Sequence, residues 1–114
     1  RRAERPSLRL VLNIEGSAQP FFVPVVERML IGRSADEVDI NLAGFGAMNN
    51  GISRVHAAFV YEEGALFLED LNSTNGTRIN GYELNPHQRY RLRNGDEIEL
   101  GSLRLTIQLV RAPG

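Results

Sequence analysis

The chain has 114 residues, a formal net charge of −1 and no cysteine. This length fits one domain with a single core. The near-neutral charge argues against a nucleic-acid binder that neutralises phosphates with a large basic excess. The lack of cysteine excludes disulfides, thiol catalysis and thiolate metal sites. The composition, 42 % apolar and 24 % charged, is that of a soluble globular domain, and no apolar run is long enough to span a membrane.

Both ends of the chain are polar or rich in Pro and Gly, as linkers often are. We expect residues 1–6 to be an N-terminal linker, residues 7–111 to form the domain, and residues 112–114 to be the C-terminal stub of a longer protein. The N-terminal residues show no signal-peptide pattern. Together with the lack of cysteine, this predicts an intracellular, cytoplasmic location.

The first predicted strand has apolar residues at every second position, namely Leu8, Leu10, Leu12 and Ile14. This period of two is typical of a half-buried strand. Residues 103–109 repeat the pattern. The sequence therefore predicts that both ends of the domain lie in β-sheets.

Further apolar or β-branched runs between these two segments predict short strands. They cover residues 21–26, 28–31, 38–42, 55–61, 65–69, 89–92 and 97–100. Gly or Asn-Gly turns separate several of them. No window has a persuasive helical period, and many short strands at near-regular spacing predict an all-β sandwich.

Three polar segments, predicted to be loops, are rich in hydrogen-bond donors. They are residues 32–34 (Gly-Arg-Ser), residues 53–56 (Ser-Arg-Val-His) and residues 71–77 (Leu-Asn-Ser-Thr-Asn-Gly-Thr). Two guanidinium groups, several hydroxyls and an amide suit a dianionic phosphate ester. No nucleophile, metal cluster or Gly-rich phosphate loop accompanies them, so the pattern indicates binding of an anion rather than its chemical conversion.

These motifs resemble the signature of the forkhead-associated (FHA) domain. The family pattern is Gly-Arg, Ser-Arg-x-His, Ser-Thr-Asn-Gly-Thr and Asn-Gly, and the four pieces begin here at Gly32, Ser53, Ser73 and Asn80. Residues 94–101 are similar to the closing hairpin of the family. The resemblance implies a β-sandwich of two twisted, mainly antiparallel sheets with about eleven short strands and the ligand loops at one end.

The resemblance assigns phosphopeptide-binding roles to five residues and supporting roles to three. The binding residues are Arg33, Ser53, Arg54, Thr74 and Asn75, and the supporting residues are Gly32, His56 and Gly76. Without it, Arg33 would be interpreted as a solvated strand-end cation, Ser53 as a turn hydroxyl and Asn75 as part of a turn. Some members carry a basic residue where this chain has Gly51, so one phosphate contact of those members is missing here.

Residues 43–52 resemble an insertion beside this site. The family usually has only a few residues between its Asp-Ile-x-Leu stretch, here residues 39–42, and its Ser-Arg-x-His motif. Long irregular loops in compact domains are often functional. We expect Phe45 and Met48 to form a small satellite core beneath this loop rather than a ligand subsite.

A catalytic interpretation of His56 with Ser53 and Asp70 is rejected, because residues three apart in an extended segment point to opposite faces. The resemblance implies instead that His56 braces the loops through hydrogen bonds. His87 is isolated from other metal-ligating residues, so neither a metal site nor another cofactor is expected.

We therefore expect a non-catalytic module that binds phosphothreonine in a partner protein, or elsewhere in its own protein, within a Ser/Thr kinase pathway. The alternative is a phosphate-independent interaction or dimerisation module that uses a sheet face. An exposed apolar patch away from Arg33 and Ser53 would favour that alternative. An enzyme would need a nucleophile–base pair or a metal site. Neither nucleic acid nor a membrane is expected as a partner.

Overall fold

The structure, a computed structural model, describes residues 7–112 and consists of two packed β-sheets. The predicted all-β sandwich is confirmed. Within the described residues, helical structure is limited to one 3₁₀ turn at Ala43–Phe45. The strands are β1 (Ser7–Ile14), β2 (Phe21–Pro24), β3 (Arg28–Gly32), β4 (Ile40–Asn41), β5 (Ala57–Glu62), β6 (Ala65–Asp70), β7 (Thr77–Ile79), β8 (Tyr82–Glu83), β9 (Arg89–Leu92), β10 (Glu97–Leu100) and β11 (Leu103–Ala112).

The first sheet has the strand order β2-β1-β11-β10-β7-β8, and the second has the order β4-β3-β5-β6-β9. Neighbouring strands are antiparallel except for β3 and β4, which are parallel. β1 pairs with β11 from Ser7 opposite Ala112 to Ile14 opposite Leu105. The first and last strands therefore lie side by side.

Alternate residues of the strands form the core between the sheets. Leu10 and Leu12 of β1, Leu105 and Ile107 of β11, and Phe59 of β5 are all buried in it. Full burial of such a side chain contributes about 1.5–3 kcal/mol to stability. The packed sheets thus form a rigid frame from which the loops extend.

The structure differs from the predicted strands in length and number. β7 and β8 were not predicted, because over three and two residues no alternation is visible. The strand predicted at residues 38–42 is reduced to β4, which pairs with β3 at two positions. The strand predicted at residues 55–61 begins at Ala57, because His56 belongs to the preceding loop.

The predicted limits of the domain remain a prediction. Residues 1–6, the predicted linker, and residues 113–114 of the predicted C-terminal stub lie outside the described residues, whereas β11 continues through Ala112. No helix in the described part of the chain is long and apolar enough to cross a membrane.

Candidate functional site

Three loops meet at one end of the sandwich and carry the five predicted binding residues. They are the β3–β4 loop (residues 33–39), the β4–β5 loop (residues 42–56) and the β6–β7 loop (residues 71–76). Hydrogen bonds join the second loop to each of the other two. The fold thus brings together segments that are far apart in the sequence.

Two backbone hydrogen bonds join the β3–β4 loop to the β4–β5 loop. The Arg33 amide donates to the Ser53 carbonyl over 3.2 Å, and the Ser34 amide donates to the Arg54 carbonyl over 3.1 Å. Gly32 permits this close approach, since a Cβ at that position would overlap the Arg54 carbonyl oxygen. A glycine at position 32 is therefore required by the packing of the loops.

A cavity of about 200 Å³ opens between the three loops. Its lining residues are Arg33, Met48, Gly51, Ile52, Ser53, Thr74 and Asn75. Four of the five predicted binding residues are among them, and Arg54 is not. The cavity offers a cation, a hydroxyl and an amide within one small volume.

Arg33 is half-buried and is oriented by a hydrogen bond from its Nε to the Ile52 carbonyl over 2.9 Å. Within residues 7–112, the two terminal nitrogens of Arg33 make no hydrogen bond and no ion pair. A guanidinium held by one nitrogen, with two donors remaining, suits bidentate binding of an anion.

Ser53 connects the β4–β5 loop to the β6–β7 loop. Its Oγ accepts a hydrogen bond from the Thr74 amide over 3.1 Å. A hydroxyl can donate one hydrogen bond while it accepts others. The hydroxyl hydrogen of Ser53 is therefore available for a ligand oxygen.

Arg54 is held by Glu37 instead of lining the cavity. Its Nε and Nη2 donate to Oε2 of Glu37 over 3.0 and 2.7 Å, and the Ser34 hydroxyl donates to the same oxygen over 2.7 Å. The hydrogen bonds from Arg54 and then from Ser34 lower the pKa of Glu37. An anion that binds Arg54 must therefore compete with an ionised carboxylate.

The side chain of Asn75 contacts Gly51, the position at which some family members carry a basic residue. Nδ2 of Asn75 donates to the Gly51 carbonyl over 2.9 Å. Gly51 has a φ of 73°, and a Cβ there would lie 2.5 Å from Nδ2 of Asn75. The glycine thus permits the contact, and Oδ1 of Asn75 remains as an acceptor for a peptide amide.

His56 is fully buried and joins the β4–β5 loop to the β6–β7 loop. Its Nδ1 accepts a hydrogen bond from the Ser53 amide over 3.0 Å, and its Nε2 lies 2.9 Å from the Gly76 carbonyl. A ring that accepts at Nδ1 and donates at Nε2 is neutral. Burial lowers the pKa of His56, which favours this neutral form.

Asp70 organises the β6–β7 loop from beneath, a role that the sequence analysis did not assign. Its Oδ1 accepts hydrogen bonds from the hydroxyls of Ser73 and Thr77, both over 2.6 Å. The Ser73 Oγ in turn accepts from the Gly76 amide over 3.0 Å. Burial would raise the pKa of Asp70, but the hydrogen bonds from Ser73 and Thr77 together outweigh it, and the pKa is lowered. An Asp followed at the third and seventh positions by hydroxyl residues was the available signal.

The geometry of His56 differs from that of a catalytic histidine. Backbone groups of Ser53 and Gly76 occupy its two ring nitrogens, and the Asp70 carboxylate is engaged by its own loop. Among the described residues, no three His, Asp or Glu side chains are grouped so that they could hold a metal ion.

The prediction of a satellite core under the long loop is wrong for Met48. Phe45 does pack on the core, and its ring centroid lies 5.9 Å from that of Phe21. Met48, however, is 72 % exposed, and Ala47 and Ile52 are the loop residues that are buried. The chain leaves the 3₁₀ turn through Gly46 with a φ of 68°, and it is Ala47 that then enters the core.

A model of the FHA domain family matches residues 29–101. The chain belongs to the FHA family. The matched segment contains all three loops of the site and the β10 strand that follows them.

Two curated proteins that contain a similar segment are bacterial. This FHA domain is 37 % identical over 93 residues to Protein FraH of Nostoc sp.. The aligned segment covers 80 % of this chain and 32 % of FraH. It is 35 % identical over 80 residues to the FHA domain-containing protein FhaA of Mycobacterium tuberculosis, covering 70 % of this chain and 14 % of FhaA. The chain thus spans a third or less of the length of these two relatives.

Solved FHA structures share the fold. The FhaA FHA domain in complex with the intracellular domain of Rv3910 is 29 % identical, with a TM-score of 0.69 over 87 % of this chain and 99 % of that one. The MEK1 FHA domain in complex with a phosphothreonine peptide of HOP1 is also 29 % identical, with a TM-score of 0.67 over 88 % and 95 % of the two chains. A domain studied for phosphothreonine-dependent FHA interactions is 28 % identical, with a TM-score of 0.71 over 88 % and 95 %.

Proposed function

We propose that this FHA domain is a non-catalytic module that binds phosphothreonine in a partner protein or elsewhere in its own protein. The observation that carries the proposal is that Arg33, Ser53, Thr74 and Asn75 line one cavity at the loop end of the sandwich. The phosphothreonine peptide bound to the similar MEK1 domain supports it.

In this proposal the phosphate is held by groups that the loops have already oriented. The terminal nitrogens of Arg33 pair with two phosphate oxygens, and the Ser53 hydroxyl donates to a third. Oδ1 of Asn75 accepts from a backbone amide of the peptide. A phosphate ester carries about −1.5 to −2 charge, and each charge-assisted hydrogen bond contributes about 1.5–3 kcal/mol.

The proposed contacts are compatible with a reversible signal. Two or three charge-assisted bonds, offset by the ordering of the peptide, give a dissociation constant on the order of micromolar. The ligand would be produced by a Ser/Thr kinase in an intracellular, cytoplasmic setting, and Arg54 would join the contacts only when the phosphate displaces Glu37.

A library of peptides with a fixed phosphothreonine first supplies one binding sequence. The proposal is then tested with three peptides of that sequence, which carry phosphothreonine, phosphoserine or threonine at the fixed position. Fluorescence anisotropy should give at least about tenfold tighter binding of phosphothreonine than of phosphoserine, because an apolar pocket discriminates one methyl group by roughly that factor. Threonine should bind far more weakly than either. Arg91→Ala, an exposed arginine on β9, is the matched control for charge. Equal binding of phosphothreonine and threonine would contradict the proposal.

A phosphate-independent interaction module is the second candidate, and two exposed apolar side chains favour it. Phe22 on the edge strand β2 is 57 % exposed, and Val26, just beyond that strand, is 54 % exposed. Neither residue lines the cavity between the loops. Binding of a partner that is indifferent to phosphorylation and is lost in Phe22→Ser would support this candidate.

A further inference from the structure

The β10–β11 turn (residues 101–102) lies against two loops of the candidate site, although neither of its residues lines the cavity between the loops. The Gly101 amide donates to the Gly76 carbonyl over 3.0 Å, and the Ser102 amide donates to the Asn50 carbonyl over 2.9 Å. A Cβ at position 101 would overlap the Asn50 carbonyl oxygen and would lie 2.9 Å from that of Gly51. The turn is therefore packed closely between the β4–β5 and β6–β7 loops.

Two of the residues that this turn contacts also fix the position of Asn75. The Gly51 carbonyl accepts the hydrogen bond from Nδ2 of Asn75 over 2.9 Å, and Gly76 directly follows Asn75 in the chain. A displaced turn would therefore move both the backbone and the side chain of Asn75. Oδ1 of that side chain is the proposed acceptor for a backbone amide of the peptide.

Arg78 on β7 holds the turn in place from outside the cavity. Its Nη2 donates to the Gly101 carbonyl, and its Nε donates to Oε1 of Glu99 on β10 over 2.9 Å. Its Nη1 lies beneath Gly76, where a Cβ would be 3.4 Å away. A planar guanidinium can bond a carbonyl and a carboxylate at the same time through its fork of donors.

Glu99 orients Arg78 and is shared with a second arginine. The hydrogen bond from Arg78 lowers the pKa of Glu99, so the carboxylate is ionised at neutral pH. Nε of Arg104 on β11 lies 3.7 Å from Oε2 of Glu99. Among the described residues, the side chain of Arg104 makes no hydrogen bond to the turn, whereas Arg78 does. The two arginines thus contact one carboxylate, and only Arg78 connects it to the site.

We propose that Arg78 is a positioning residue for phosphopeptide binding, which fixes Asn75 through the β10–β11 turn without contacting the ligand. The inference rests on the proposed function and adds to it a residue outside the cavity. Arg78 contributes to the part of the affinity that comes from the peptide backbone. Arg33 and Ser53 bind the phosphate independently of it.

The test compares two ligands of the wild-type chain and of Arg78→Met, which keeps an apolar stem but has no donor. One ligand is the phosphothreonine peptide, and the other is isopropyl phosphate, a phosphate ester without a peptide backbone. Arg78→Met should weaken peptide binding by about three- to tenfold, the range for loss of one hydrogen bond to a ligand. The affinity for isopropyl phosphate should be unchanged, because that ligand offers no amide to Asn75. Titrations followed by ¹⁵N–¹H NMR measure both affinities and also report whether the Asn75 side-chain amide signals shift.

Arg104→Met is the matched control, because it removes the other arginine from Glu99 and leaves the turn bonded to Arg78. It should bind both ligands as the wild type does, with unshifted Asn75 side-chain signals. If Arg78→Met does not fold, Arg78→Lys replaces it, since a lysine keeps a charge beside Glu99 but lacks the forked donors. It should show the same selective loss of peptide affinity.

Three results would overturn this inference and leave the proposed function standing. They are wild-type peptide affinity in the folded Arg78 variant, an equal loss of affinity for both ligands, and an equal loss of peptide affinity in Arg104→Met. If the wild-type chain bound the phosphothreonine peptide no better than its unphosphorylated form, the proposed function would fail and this inference with it.

Discussion

Arg33 and Arg54 lie in neighbouring loops of the candidate site, but their guanidinium groups have partners of different charge. Arg33 donates one hydrogen bond to the neutral Ile52 carbonyl, and within the described residues no carboxylate pairs with it. Arg54 donates two hydrogen bonds to the Glu37 carboxylate. The two arginines are therefore not equivalent. In the proposed function, Arg33 can bind an anion directly, whereas an anion that binds Arg54 must first displace the Glu37 carboxylate.

The largest effect is expected from Arg33→Ala, which removes the uncompensated charge. Loss of two charge-assisted hydrogen bonds should weaken phosphopeptide binding by about 100-fold or more. Because Arg33 is half-buried and bonded to Ile52, stability should also fall, by no more than about 1 kcal/mol. Isothermal titration calorimetry and a thermal melt measure the two effects. Wild-type affinity in this variant would remove Arg33 from the site.

His56→Ala should weaken the contribution of both arginines at once, because His56 holds the Ser53 segment to which the β3–β4 loop is bonded. Loss of its two hydrogen bonds and of its buried volume should cost about 2–4 kcal/mol of unfolding free energy. Binding should fall by about tenfold. Urea denaturation and anisotropy on one preparation check both expectations. Weaker binding at unchanged stability would instead indicate that His56 contacts the ligand.

Acid pH should reversibly weaken the stabilisation that neutral His56 provides. Because burial lowers the pKa of His56, the folded chain keeps the ring neutral while the unfolded chain takes up a proton near pH 6.5. The contribution of neutral His56 to the free energy of unfolding is therefore fully present above that pH. It falls as the pH drops below it, by at most about 1.4 kcal/mol per pH unit. Asp70, with its lowered pKa, adds stability that is lost only at still lower pH, through its folded-state pKa.

Urea denaturation at pH 7.5, 6.5 and 5.5 measures this dependence, and His56→Ala is its matched control because it retains His87. The slope between pH 6.5 and 5.5 should be smaller in the variant. An identical slope in the two proteins would assign the effect to other groups.

The smallest effect is expected from substitutions in the exposed ion pair of Glu37 and Arg54. Glu37→Gln should tighten phosphopeptide binding by about two- to threefold at low salt, because it removes a competing carboxylate and leaves the Arg54 charge available. Arg54→Ala should weaken binding by less than tenfold, and both effects should shrink at high salt. Weaker binding in Glu37→Gln would show that Glu37 positions Arg54 rather than competing for it.

The strands and the loops of the site could be predicted because they leave local signals. In β1 and β11 a buried face needs apolar residues at every second position, and Leu10, Leu12 and Leu105 supply them. Three of the four motif pieces located the loops of the candidate site, and the four predicted binding residues that line the cavity all lie on those loops. β7 and β8 were missed because they are too short to show a period.

The remaining features depend on contacts that no local pattern encodes. Glu37 and Arg54 are 17 residues apart and meet only because β3 and β5 pair in one register. Met48 is the larger apolar residue, but Ala47 is the one that the irregular loop places in the core. Apolar character predicts burial in a periodic element, and in a loop the backbone path decides it.

The pairing of β1 with β11 sets how far a tethered ligand must reach. Ser102, which bonds Asn50 beside the site, directly precedes β11, and Ala112 ends that strand opposite Ser7. A strand of this length, ten residues, spans about 33 Å. An extended chain covers at most about 3.6 Å per residue, so a phosphothreonine on the same polypeptide must lie at least about nine residues beyond Ser7 or Ala112 to enter its own site. Shorter tethers favour capture of a second molecule, and longer ones set a local concentration that competes with it.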